Sequence, residues 1–476
     1  MNPSRRAFLA AAGLPCVSRA AAPRPNILMV VTDDQRWDAF SASGFGGILS
    51  FMKTPNMDRL AHEGVHFRNT FVTTSLCSPS RASIMSGKYA HTHGVWRLRG
   101  DLPAGCRIFP GLLREAGYDT GFVGKWHLGV ESEKPNPAFN YWAGFRDQGA
   151  YFDPLLNVNG TPPPTKGYVT DILTDHAEKF LRKHREEPFF LYVGHKAPHG
   201  PCTPPKHLES LYQDVQVPLP KTYYENHDDK PPWYLNFTDH DYWHTELHPV
   251  ERYQQYVKDY CRTLVSVDDS LGRLMKILEE SGVADNTAIF LLGDNGHFLG
   301  EHQFYSKMIM YEESTRIPLL VRYPRLAAAG TRRDELLLNV DLAPTVLDLA
   351  GVPVPKDMEG RSAKPLLTRK KVRDWRQSFL YEWSSSGGWG LPSLEGVRTA
   401  DNWQYARYFD WEQLYDMNTD PVQVRNLALD PRHRARKQEL IGELQRLGGG
   451  GRLLEPPGPY RRKSGPTHTP HGKDFK

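Results

Sequence analysis

The chain has 476 residues, more than one hydrophobic core usually organises, so a large domain with a smaller companion is expected. Hydrophobic content of 39%, charged content of 24% and 38 prolines describe a soluble globular protein with many ordered loops. The net charge of +4 is too small to indicate a nucleic-acid partner and leaves only a mild preference for anionic substrates.

Ser4-Arg5-Arg6-Ala7-Phe8-Leu9, the apolar stretch to Val17 and the small residues Ala20-Ala21-Ala22 look like a twin-arginine export signal over residues 1–22. The expected destination is periplasmic or extracellular. The apolar stretch is too short to span a bilayer, so no transmembrane segment is expected. Of the five cysteines, Cys16 falls in this signal and Cys77 in the motif below. Cys106, Cys202 and Cys261 allow at most one intramolecular bridge, which excludes a disulfide framework.

Asn26-Ile27-Leu28-Met29-Val30-Val31-Thr32 is a continuous apolar run ending in Asp33-Asp34, the pattern of a strand buried on both faces. Similar runs are Gly121-Phe122-Val123, followed by Lys125 and His127, and Pro188–Val193, followed by His195 and His199. Another, Ala288–Gly293, is followed by Asp294-Asn295. Between Tyr253 and Leu278 apolar residues recur at three- and four-residue spacing, predicting a helix capped by Gly282. Strands alternating with helices predict an α/β fold around a large, mostly parallel sheet sandwiched by helices. In such sheets, sites gather at the carboxyl ends of strands, and each of these strands ends beside polar chemistry.

The run Cys77-Ser78-Pro79-Ser80-Arg81 continues to Gly87 and predicts a short helix with Ser78 as N-cap and Pro79 as first helical residue. Position 77 would then lie where a helix N-terminus favours an anion. Pro162-Pro163-Pro164 and the stretch from Pro218 to Pro249 predict long surface insertions. The aromatics Tyr223, Trp233, Tyr242 and Trp243 in the second could stack on a sugar, against the commoner outcome of closing over a core. After Lys370-Lys371 the runs shorten, giving a division into 23–370, a smaller unit at 371–447 and a loose tail at 448–476.

The Cys77–Gly87 run resembles the signature of type I sulfatases. Gly117-Tyr118-Asp119-Thr120-Gly121-Phe122-Val123-Gly124-Lys125-Trp126-His127-Leu128-Gly129 is similar to the second signature of that family. The resemblance implies an alkaline phosphatase-like fold with a small C-terminal antiparallel sheet. It also implies that a maturation enzyme oxidises Cys77 to formylglycine, whose hydrated diol is the nucleophile. Asp33, Asp34, Asp294 and Asn295, together with residue 77, match the family's metal ligands. An all-oxygen set suits calcium, with magnesium second, over zinc or copper. Arg81, Lys125, His127, His199 and Lys307 match catalytic positions: Arg81 and Lys125 stabilise charge, His199 or Lys307 protonates the leaving alcohol, and His127 serves as base for sulfate release. His195, His297 and His302 match no such position and are expected either to support the site residues from behind or to be structural.

The flanking segments Asn69–Leu76 and Gly87–Val95 and the run Gly396-Val397-Arg398-Thr399 resemble bacterial sulfatases acting on sulfated carbohydrates, in particular N-acetylglucosamine-6-sulfatases and mucin-desulfating enzymes. A 6-O-sulfated N-acetylhexosamine in a glycosaminoglycan or mucin fragment is therefore the narrower expectation. Two alternatives remain: a phosphodiesterase or phosphonate monoester hydrolase of the same superfamily, and a non-catalytic carbohydrate-binding relative.

Overall fold

A computed structural model describes residues 23–183, 186–227, 230–235, 242–243 and 247–451; the expected export signal and nearly all of the expected tail lie outside them. Nine strands form the main sheet, in the order Thr331–Arg333, Val65–Phe67, Leu319–Arg322, Thr287–Gly293, Asn26–Thr32, Phe189–Gly194, Asp119–Lys125, Tyr141–Phe145, Leu156–Val158. The five strands from Thr287–Gly293 to Tyr141–Phe145 run parallel, and Leu319–Arg322 and Leu156–Val158 pair antiparallel on either side.

The central strand shows why this order is stable. Every residue of Asn26–Thr32 is buried. Leu28 and Val30 enter one core with the helices Pro55–Glu63, Val169–Arg182 and Val250–Glu280. Ile27, Met29 and Val31 enter the other, with Cys77–Ser86, Phe109–Glu115 and Leu342–Leu349. At about 1.5–3 kcal/mol for each fully buried aliphatic side chain, these strands are stable only between two helical layers. The helix predicted over Tyr253–Leu278 runs from Val250 to Glu280, and Gly282 follows it in the left-handed region at φ 67°.

The second sheet is antiparallel, Ser378–Trp383, Leu394–Thr399, Trp403–Tyr408, Glu412–Asp416 in that order. Val397, Tyr405 and Leu414 on one face pack on Leu440 and Leu444 of the helix Arg434–Arg446. The other face packs on Met308, Ile309, Met310 and Tyr311, and Tyr381 donates its hydroxyl hydrogen to the Met308 carbonyl at 2.6 Å. The small sheet thus backs the loop that carries Lys307.

Of the four aromatics that could have stacked on a sugar, three take the commoner course and close over a core: Tyr223, Trp233 and Trp243 are buried, and Tyr242 is half-buried against Tyr305. Tyr223 packs on Trp243 and Tyr253, and Trp233 on Tyr408, because a ring offers more apolar area than a loop can leave in water. Cys77, Cys106, Cys202 and Cys261 are all free thiols. Among the described residues no helix is long and apolar enough to cross a membrane.

Gly124 faces Gly194 across the sheet at φ 108°, and an added Cβ would lie 2.0 Å from the Gly194 carbonyl oxygen. Gly124→Ala is expected to destabilise the fold by about 1–3 kcal/mol, read as a lower denaturant midpoint. An unchanged midpoint would show that the two strands part without cost.

Candidate active site

Register brings the site together. Thr32 pairs with Gly293, and Val31 and Gly124 both pair with Gly194, so the parallel strands end level with one another. The next residues, Asp33-Asp34, Asp294-Asn295 and His195, therefore emerge side by side, with Lys125 closing its own strand. Asp33, Asp34, Lys125, Asp294 and Asn295 are all buried.

The helix Cys77–Ser86 points its N-terminus at this edge, and all ten of its residues are buried. It begins at Cys77 with Leu76 as N-cap, which corrects the expected start at Pro79. Ser78 is no cap because its hydroxyl is engaged elsewhere: it donates to the His127 carbonyl at 2.6 Å and accepts from the Arg99 amide at 3.1 Å. Arg81, one turn on, donates to Asp294 Oδ2 at 2.8 Å and to the Lys125 carbonyl at 2.6 Å.

Cys77 Sγ lies 3.5 Å from Asp33 Oδ1 and 3.2 Å from Lys307 Nζ. Lys125 pairs with the other Asp33 oxygen and Lys307 with Asp34 Oδ1. Asn295 Nδ2 donates to Asp34 Oδ1 at 2.6 Å, and the Asp34 amide donates to Asp294 Oδ1 at 3.1 Å. His199 Nε2 is 3.8 Å from Asp34 Oδ2, while its Nδ1 faces the Gly200 carbonyl at 2.8 Å. Donor atoms of Asp33, Asp34, Cys77 and His199 all lie within 4.8 Å of one another. His127 is wholly buried, with Nε2 2.9 Å from Asp147 Oδ1. Every candidate residue read from the sequence thus lies at this edge of the sheet or in direct contact with a residue there.

Burial and neighbouring charges together set the electrostatics. Burial alone would raise Asp33, but the Lys125, His199, Arg81 and Lys307 charges overcome it and hold the carboxyl well below its usual range. Burial and then the Asp33 charge push Asp294 up to about 7 against the pull of Arg81. Burial raises the Cys77 thiol to about 12, with Asp33 adding to the effect. Burial lowers His127 to about 3, helped by Lys125, so its ring is neutral at physiological pH. Arg81 Nη2, Asn295 Oδ1 and His127 Nδ1 are among the polar atoms here that are buried without a hydrogen-bond partner.

Three residues that the motifs do not include join the site. Gln148 accepts from Lys125, Asp147 holds His127, and Lys196, lowered to about 8 by burial and then by Lys125, lies 4.8 Å over the Tyr151 ring. Gln148 and Asp147 follow the strand Tyr141–Phe145, so reading its end like the others would have found them. His297 Nδ1 is 3.5 Å from Asp34 Oδ2 and its Nε2 meets the Tyr256 hydroxyl at 2.7 Å, a supporting place behind the acidic pair. His302 bonds to Glu225, and His195 lies 3.5 Å from the Ser270 hydroxyl.

Residues 25–352 match the sulfatase family model, and residues 300–449 match the model for the C-terminal region of N-sulphoglucosamine sulphohydrolase. An N-acetylglucosamine-6-O-sulfatase of Bacteroides thetaiotaomicron is 34% identical over 89% of this chain and 86% of its own. The human N-acetylglucosamine-6-sulfatase is 30% identical over 89% and 84%. A solved structure in complex with its substrate, D-glucosamine-2-N,6-O-disulfate, superposes with a TM-score of 0.81 at 31% identity, covering 89% of this chain and 97% of that one. With family signatures at level strand ends and relatives matched over nearly their whole lengths, the chain belongs to the sulfatase family and is a sulfuric ester hydrolase.

Proposed function

We propose that the protein hydrolyses 6-O-sulfate esters on N-acetylglucosamine or a related amino sugar of a sulfated glycan. The observation that carries this reading is the placement of Cys77 at a buried helix N-terminus, 3.5 Å from Asp33 and 3.2 Å from Lys307. The sugar and position follow from the relatives, two of them 6-sulfatases and one solved with a 6-O-sulfated glucosamine.

Asp33, Asp34, Asp294 and Asn295 fit a hard cation, since three buried carboxylates crowd together and Asn295 Oδ1 has no other partner. Calcium, with magnesium second, would screen the negative charge of a sulfate ester there. Residue 77, matured to formylglycine by a maturation enzyme, would supply a hydroxyl nucleophile, with Sγ of Cys77 standing in for one of its oxygens. Arg81, whose Nη2 is free, and Lys125 stabilise charge on the sulfate. His199 or Lys307 protonates the departing alcohol. His127, neutral and buried, takes the proton whose loss accompanies sulfate release. Residues 371–447 form the supporting unit behind Lys307, and residues 1–22 direct export to the periplasm or beyond.

Among sulfated mono- and disaccharides, 6-O-sulfated N-acetylglucosamine is expected to exceed 2-O-, 4-O- and N-sulfated sugars by about 10²-fold in kcat/KM. A preference for one of those positions would refute the regiochemistry alone. Faster turnover of phosphonate monoesters than of any sulfate ester would favour the hydrolase alternative.

A further inference from the structure

His127, Asp147 and Arg99 form a connected chain of side chains running outward from the site. Asp147 Oδ1 lies 2.9 Å from His127 Nε2, and its Oδ2 accepts from Arg99 Nε at 3.1 Å and from Arg99 Nη2. His127 is fully buried, Asp147 is partly buried and Arg99 is about half exposed. Burial would raise the Asp147 carboxyl, but its hydrogen bonds to His127 and Arg99 hold it well below the usual carboxylate range. An ionised carboxylate only accepts, so the proton of neutral His127 must sit on Nε2. His127 Nδ1 is buried and makes no hydrogen bond, which leaves its lone pair free. The Gln148 carboxamide nitrogen is 3.4 Å from Nε2, but its oxygen is given to Lys125.

The backbone supplies an independent observation. Arg99, His127 and Asp147 all have left-handed conformations, with φ of 59°, 57° and 56°. Side-chain-bearing residues adopt that region at a cost, and such positions cluster at functional sites. Ser78 braces two of the three, through the Arg99 amide and the His127 carbonyl, and the Ser132 hydroxyl accepts from the Asp147 amide at 2.8 Å. A histidine that merely filled the core would need neither the ionised partner nor three braced turns.

We propose that Asp147, held by Arg99, is a positioning residue that fixes His127 as the Nε2–H tautomer and makes Nδ1 the atom that takes the proton. This rests on the base role proposed above. Nδ1 would accept the proton of the hydroxyl left on residue 77 as that oxygen's electron pair forms the C=O bond. The C–O bond to sulfate breaks and its pair leaves with the sulfate. The imidazolium so formed faces a carboxylate, which favours the step.

Asp147→Asn keeps the shape of the side chain but removes its charge and can present an amide N–H to Nε2, shifting the proton to Nδ1. The expected result is a kcat about 10²–10⁴-fold lower with little change in KM. After a single turnover the protein should carry covalent sulfate, seen in its intact mass and matched by His127→Ala. ¹⁵N spectra of histidine-labelled resting enzyme, with His127 assigned by its absence in His127→Ala, should show protonated Nε2 and bare Nδ1. The variant should lose that pattern. A resting enzyme with Nδ1 protonated would overturn the proposal, as would an Asp147→Asn variant with normal kcat or one that loses activity without retaining sulfate. If the tautomer is as expected but the matured wild type cleaves no sulfate ester, the positioning stands and the proposed function fails.

Discussion

Protein produced in cells that lack a formylglycine-generating enzyme is expected to fold yet to turn over no sulfate ester. Burial pushes the Cys77 thiol up to about 12, so at neutral pH almost none of it is the nucleophilic thiolate. A thiolate that did attack sulfur would form a thiosulfate-like ester with no neighbouring hydroxyl to expel the sulfate. Conversion supplies that hydroxyl, so activity should rise in proportion to the fraction of residue 77 in which peptide mass spectrometry finds sulfur replaced by oxygen with loss of hydrogen. Cys77→Ser should be inactive unless the host also converts serine. Every residue of Cys77–Ser86 is buried, so adding the maturation enzyme to the folded protein should convert nothing. Fully active protein with an unmodified, alkylatable Cys77 would refute the chemistry while leaving the fold untouched.

Exhaustive chelation is expected to abolish turnover, and readdition of calcium to restore it, with the fold retained throughout. The sheet depends on two apolar cores, so losing a cation at its edge leaves Asp33, Asp34 and Asp294 repelling one another only locally. Asp294→Ala should lose metal and activity together. Asp294 is pushed up to about 7 by burial and the Asp33 charge, and a ligand carboxyl must be ionised. Protons therefore compete with the cation more strongly as pH falls through 7, and metal affinity should weaken in that direction. Undiminished activity in protein shown by metal analysis to hold no divalent ion would remove these residues from the ligand set.

Much of the architecture was legible in the sequence. Asn26–Thr32, Phe189–Gly194 and Thr287–Gly293 are short, continuously apolar, rich in β-branched or aromatic residues and stop at polar residues, the pattern of strands buried on both faces. The same strand ends marked Asp33, Asp34, Lys125, His199, Asp294 and Asn295, and the run at Cys77 marked the helix facing them. The small sheet was legible more coarsely, as a change in the length of apolar runs.

The rest was decided in three dimensions, because it depends on which distant groups meet. Tyr223, Trp233 and Trp243 left two readings open in the sequence, a sugar-stacking surface or a core, and the arrival of Tyr253 and Tyr408 decides for the core. Ser78 reads as an N-cap, yet its hydroxyl bonds to Arg99 and His127, and Leu76 takes the cap position. Asp147 and Arg99 carry no motif at all. A lone carboxylate after a strand is usually solvated, and only folding sets this one against His127, where its charge selects which ring nitrogen holds the proton. Apolar pattern and strand ends are properties of contiguous residues and so belong to the sequence. Tautomer, charge balance and burial belong to the tertiary structure, because each is set by the field of neighbours that the chain brings together from far apart.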